Sequence, residues 1–76
     1  MNKRKLGNGW YDGSIGSYCW QAKVFDVGSQ FGINGGRVSK LWINGPEGVV
    51  YSYDRGIDID EAPQEVIVSI ISLFPE

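Results

Sequence analysis

Four acidic side chains crowd one short stretch: Asp54, Asp58, Asp60 and Glu61, in YDRGIDIDE. Carboxylates supply the oxygen donors that Mg²⁺ or Ca²⁺ takes, and paired carboxylates can support two-metal cleavage of a phosphodiester. The spacing does not match the calcium-loop pattern D-x-[DN]-x-[DN]-G. The same residues have simpler uses. Asp54 and Arg55 suit turn hydrogen bonds. Asp60 and Glu61 suit the approach to a helix N-terminus, where the dipole favours negative charge. The run as a whole also suits contact with a basic protein partner. A second set is cationic: Lys23, Arg37 and Lys40 accompany Trp42. An aromatic ring with cations beside it is a platform on which single-stranded bases stack. Trp42 and Tyr53 equally suit a protein hot spot, where such residues are enriched.

The stretch GSQFGINGGRVSK, residues 28–40, raises a different chemistry, since it holds four of the eleven glycines. A phosphate loop needs G-x-x-x-x-G-K-[ST] between a strand and a helix. Here the Lys-[ST] pair is missing and a strand pattern follows. Asn34-Gly35-Gly36 instead supplies the positive φ of a tight turn, with Phe31 and Ile33 positioned to pin the loop to the core. Nucleophilic catalysis has no support either. The chain has no histidine to activate its single cysteine, and the strand around Cys19 suggests a small buried hydrophobe. No cofactor or metal site is expected, and an enzyme is the less favoured class.

Seventy-six residues make one small domain, 1–76. The net charge is −2, but Lys3, Arg4 and Lys5 hold three of the seven basic residues, so from Leu6 onward four basic residues face nine acidic ones. A body this acidic is a poor duplex-DNA binder on its own. Residues 1–8 read as a flexible basic arm able to touch nucleic acid or a partner. A lone cysteine fits a reducing cytoplasm. No apolar run is long enough for a membrane span, and no apolar segment follows the N-terminal charges as in a signal peptide.

The elements that must carry these residues are short strands. WYDGSI (10–15), YCWQAKVFD (18–26), RVSKLWIN (37–44) and VVYSYD (49–54) are rich in β-branched and aromatic residues. Gly16-Ser17 and Asn44-Gly45-Pro46-Glu47-Gly48 separate them as turns. In the second run Tyr18, Trp20, Ala22 and Val24 share one face, and Cys19, Gln21, Lys23 and Phe25 the other. Residues 63–74 read as a helix. Pro63 is tolerated in a first turn, and Glu65, Ser69, Ser72 and Glu76 recur as a narrow polar stripe. The fold class is therefore α+β: a four-stranded antiparallel meander followed by one C-terminal helix packed on one face. The apolar surface of that helix predicts a homodimer through it. The second sheet face, with Gln21, Lys23, Lys40, Trp42 and Ser52, is left uncovered.

AKVFDVGSQFGINGGRVSKLWI (22–43), followed by YDRGIDI (53–59), resembles a family of very small proteins of unknown function from bacteriophages and mobile elements. The shared pattern is A-K-V-[FY]-[DN]-x-G-S-x-[FY]-G-I-x-x-G-R-[IV]-S-K-L, then Y-D-R-G-W-D. This chain has Ile57 where that pattern carries tryptophan. The resemblance implies a host-cell cytoplasmic protein. Some small proteins similar to this family inhibit CRISPR-associated DNA nucleases. They are associated with the fold of the positive-cofactor single-strand-binding coactivators, a four-stranded sheet and a helix that dimerises.

Three expectations follow. The first is an anti-CRISPR-type inhibitor that binds a host nuclease, or its nucleic acid, through Trp42, Tyr53, Asp54, Asp58, Asp60 and Glu61. The second is a single-stranded nucleic-acid-binding module using Lys23, Arg37, Lys40 and Trp42. The third is a metal-dependent DNA-nicking protein.

Overall fold

The structure, a computed structural model, describes residues 2–28, 30 and 32–75. Six strands precede one helix: β1 (Asn2–Gly7), β2 (Trp10–Ile15), β3 (Tyr18–Val24), β4 (Val38–Gly45), β5 (Gly48–Asp54), β6 (Ile57–Asp60) and α1 (Gln64–Ile71). A 3-10 turn at Ile33–Gly35 lies between β3 and β4. The strands form one antiparallel sheet in sequence order, β1-β2-β3-β4-β5-β6. The α+β class and the meander are as expected from sequence; the count of four strands is not. The two additional strands are the two edges.

β1 replaces the expected arm at residues 1–8. It pairs with β2 from Asn2↔Ser14 to Gly7↔Trp10. NKRKLG shows no apolar alternation, so its strand character comes from its partner. The turn explains the pairing. Asn8 and Gly9 have φ of 55° and 83°, the left-handed pair of a two-residue hairpin that Asn-Gly favours. At Gly9 a Cβ would meet the Val24 carbonyl at 3.0 Å, so the tight turn also needs the missing side chain. Lys3 Nζ then sits 5.2 Å from the Phe74 ring centroid and 5.8 Å from that of Tyr11, and Arg4 donates two hydrogen bonds to Asp12, at 2.8 and 3.2 Å.

β6 is the acidic run read in sequence as a turn and helix approach. It pairs with β5 through Tyr51↔Asp60, Ser52↔Ile59 and Tyr53↔Ile57, which leaves Asp58 as the extra residue of a bulge. Arg55 turns the corner with φ of 62°. Its N–H donates to the Ser39 carbonyl and that of Asp54 to the Gly56 carbonyl, main-chain hydrogen bonds that hold the corner.

The core lies between the sheet and α1. Trp20, Ala22, Leu41, Ile43 and Tyr51 meet Val66, Ile67, Ile70 and Phe74 there. Phe74 packs edge-on against Tyr11 and Trp20, with centroids 5.0 and 6.2 Å away. The helix ends earlier than the expected residue 74. Leu73 and Phe74 donate to Ile70 and Ile71 carbonyls in a tightened last turn, which folds Phe74 back onto the sheet. β6 flanks the helix, where Ile57 and Asp60 share a cavity with Ile67, Val68 and Ile71. Of the helix's large apolar residues, Val68 is 50% exposed while Val66, Ile67 and Ile70 are buried. Ile33 is buried, as the loop-pinning expectation requires. The same expectation for Phe31, and the place of Glu76 on the polar stripe, lie outside the described residues. Gly35 has the positive φ expected of the loop, 72°. At Gly32 a Cβ would come 2.0 Å from the Gly36 carbonyl oxygen, so this glycine permits a close main-chain approach.

Candidate ligand-binding face

The strand alternation divides β3 cleanly. Trp20, Ala22 and Val24 are buried under α1, and Cys19, Gln21 and Lys23 stand on the opposite, open face. The register sets their neighbours. Lys23 lies opposite Trp10 on one side and Lys40 on the other; Gln21 lies opposite Asp12 and Trp42. Trp10 and Trp42 therefore flank β3 on a diagonal, within reach of large side chains. Their rings stack, with centroids 5.9 Å apart and planes 15° from parallel.

Cations border this pair. Lys23 Nζ lies 5.6 Å from the Trp10 centroid and 6.0 Å from that of the exposed Phe25. It also donates to the Asn8 carbonyl, which ties it to the hairpin turn. Lys40 lies opposite Asp54 across β4 and β5, with Nζ 3.8 Å from the carboxylate. Both members of that pair are substantially solvated, so their mutual attraction is weak and screened. One end of the open face is thus an aromatic and cationic patch of Trp10, Trp42, Phe25, Lys23 and Lys40. It offers π-faces and positive charge.

The other end has a different character. A concavity of about 430 Å³ lies around Gly13, lined by Lys3, Arg4, Asp12, Ser14, Cys19 and Trp20. Arg4 and Asp12 pair with each other there, and Lys3 leaves the lining net positive. The Asp12 carboxylate, by hydrogen bonding first and by its charge second, holds the Arg4 guanidinium above its ordinary pKa. Cys19 is a free, exposed thiol here, not the buried hydrophobe expected, because it sits on the face that α1 does not cover.

The residues expected from sequence to bind ligands fall into three places. Trp42, Lys23 and Lys40 come together, with Asp54 beside Lys40. Arg37 is elsewhere. Its guanidinium donates to the carbonyls of Phe25, at 2.7 Å, and Pro75, at 2.9 Å, and so clamps the end of β3 to the chain beyond α1. The acidic set does not form one surface with Trp42. Tyr53 packs against the core. Asp60 lies opposite Tyr51 and lines a cavity of about 130 Å³ with Ile57, Gln64 and Ile67 on the helix side. Asp58 and Glu61 are exposed along the β6 edge. Among the described residues no three His, Cys, Asp or Glu side chains converge as a metal site. Tyr51 itself is held protonated above its ordinary range, chiefly by burial and then by the charges of Asp60 and Tyr53.

Trp10 and Phe25 complete the patch, and sequence reasoning did not single them out as ligand-binding. A signal existed for Trp10. It alternates with Asp12 and Ser14, so its face is the polar one, whereas Tyr11 and Ile15 share the core side.

Neither a curated protein nor a solved structure matches the chain. A family pattern matches residues 9–74, which span β2 to α1 and leave β1 outside. On that extent of match, the chain belongs to the family described as Domain of unknown function (DUF7678).

Proposed function

We propose that the protein is a binding module rather than an enzyme, and that its open face takes single-stranded nucleic acid. The carrying observation is the Trp10–Trp42 stack bordered by Lys23 and Lys40 on the face opposite α1. An unstacked base offers its π-face to tryptophan and its phosphate to lysine. A duplex hides the first, and the net charge of −2 disfavours the extended phosphate contacts that would replace it. Because the two rings already stack on each other, bases add to their outer faces and not between them.

The test is fluorescence anisotropy of a labelled oligothymidylate at 50 and 200 mM salt. Two lysine–phosphate contacts at a slope of roughly −0.7 each predict about a sevenfold loss of affinity over that range. Absence of binding, or binding indifferent to salt, contradicts the proposal.

A second reading rests on the acidic β6 edge, where Asp58, Asp60 and Glu61 are exposed. An acidic edge suits the basic channel of a nucleic-acid-guided nuclease. In this reading a phage or mobile-element protein counters a host CRISPR nuclease, by binding the enzyme or its displaced strand. A dimer through α1 would centre on the exposed Val68. Plasmid protection against a set of such nucleases tests the inhibitor reading. No protection by a folded, expressed protein removes it and leaves strand binding to its own assay.

A further inference from the structure

We propose that copies of this chain join edge to edge, β6 of one against β1 of the next, and so continue the sheet from molecule to molecule. Both edges are terminal in the strand order. An edge strand presents main-chain N–H and C=O groups to any strand that can pair with it. Charges on such strands often serve to keep copies apart. Here the two edges carry opposite signs. β1 has Lys3 and Lys5, with Arg4 already paired to Asp12; β6 has Asp58 and Asp60, followed by Glu61. Each edge therefore repels its own kind and attracts the other. That pattern disfavours a two-fold pair of like edges and favours a head-to-tail contact.

The strand directions agree. In a six-stranded meander β1 and β6 run in opposite directions. A translated copy therefore places its β1 antiparallel to β6, as every other neighbour in the sheet is placed. One register brings the charged and apolar residues of the two edges together. Setting Lys3 opposite Asp60 brings Lys5 and Leu6 alongside Asp58 and Ile57, where each strand carries its irregularity, at Leu6 in β1 and at Asp58 in β6. Leu6 is 44% exposed and Ile57 58% exposed, two of the large apolar residues left on the surface, and both lie on edge strands. Lys3 and Asp60 are on the same side of the sheet, since Lys3 lies over Phe74 and Asp60 lies opposite Tyr51. The pairing thus makes cross-strand ion pairs and covers exposed apolar surface in a single step. Strand twist of roughly 20–25° per strand rotates each copy relative to the last. The assembly is consequently a ring or a helical filament, whichever closure that rotation allows.

Light scattering and sedimentation across protein concentration and salt test the proposal. The wild type is expected to form species larger than two chains at low salt, and these shrink as salt rises. Lys3→Glu/Lys5→Glu and Asp58→Lys/Asp60→Lys should each run at the mass of one chain. Mixed in equal amounts, they should assemble again, because acidic edges then meet basic ones. Circular dichroism establishes that each variant is folded. Should the Lys3 change unfold the chain, Lys5→Glu alone carries the β1 arm of the test. A wild type that stays at the mass of one chain overturns the proposal. Assembly that survives both reversals and is lost in Val68→Glu also overturns it, in favour of contact through the helix.

Discussion

The two faces of the sheet both carry tryptophan and use it differently. On the helix side Trp20 is 2% exposed and packs edge-on against Phe74. Its indole N–H is buried without a hydrogen-bond partner among the described residues, so its contribution is bulk. On the open side Trp10 and Trp42 remain half-buried, stacked, and bordered by lysines. The difference teaches that ring type alone says little about role. The strand parity that puts a ring on one face or the other decides it, together with which face the helix covers.

If this contrast is right, stability and binding separate by face, and the largest effect belongs to the covered one. Ile70 is fully buried. Ile70→Ala should cost about 2–5 kcal/mol, a large part of the total for a small domain, visible as a steep fall in the urea midpoint. Trp42→Ala should instead weaken oligonucleotide binding about fivefold to 150-fold, from stacking worth about 1–3 kcal/mol per base. Its urea midpoint should move less than that of Ile70→Ala.

Arg37 sharpens the comparison because sequence placed it with the lysines. Arg37→Ala should lose about 1 kcal/mol of stability with its two main-chain hydrogen bonds, while anisotropy titration finds oligonucleotide affinity unchanged. A loss of affinity as large as that of Trp42→Ala would return Arg37 to the site. Lys40→Ala should flatten the salt dependence of binding by a slope of about 0.7. The smallest effect is a pH effect on the covered face. Folding raises the Tyr51 pKa, whereas an unfolded tyrosine titrates near about 10. The folded state therefore binds more protons above that pH. The associated stability is fully present below the unfolded value and lost as pH rises through the folded one. Urea melts should show an alkaline loss in the wild type that Tyr51→Phe lacks.

Much of the frame was legible in the sequence. The alternation of Trp20, Ala22 and Val24 against Gln21 and Lys23 fixes both faces of β3, and the turn residues place the four inner strands. The two edges were not legible by the same rule. β1 is almost all polar, and its strand state depends on pairing with β2 through the Asn8-Gly9 turn. In β6, Asp58 and Asp60 resemble loop chemistry, because an edge strand can leave its polar residues in solvent. The site was legible as a set containing Trp42, Lys23 and Lys40. The role of Arg37 was not, since hydrogen bonds to Phe25 and Pro75 depend on where the chain returns after the helix. Trp10 joins the patch through the register of β2 on β3, which only the folded sheet supplies.

The most direct measurement is intrinsic fluorescence from the two faces separately. Trp20→Phe leaves Trp10 and Trp42 as the emitters, and Trp10→Phe/Trp42→Phe leaves Trp20. Unlabelled oligothymidylate should quench the first variant saturably and leave the second unchanged. Quenching of the Trp20 emission, or none from the open-face pair, would contradict the assignment of binding to the open face.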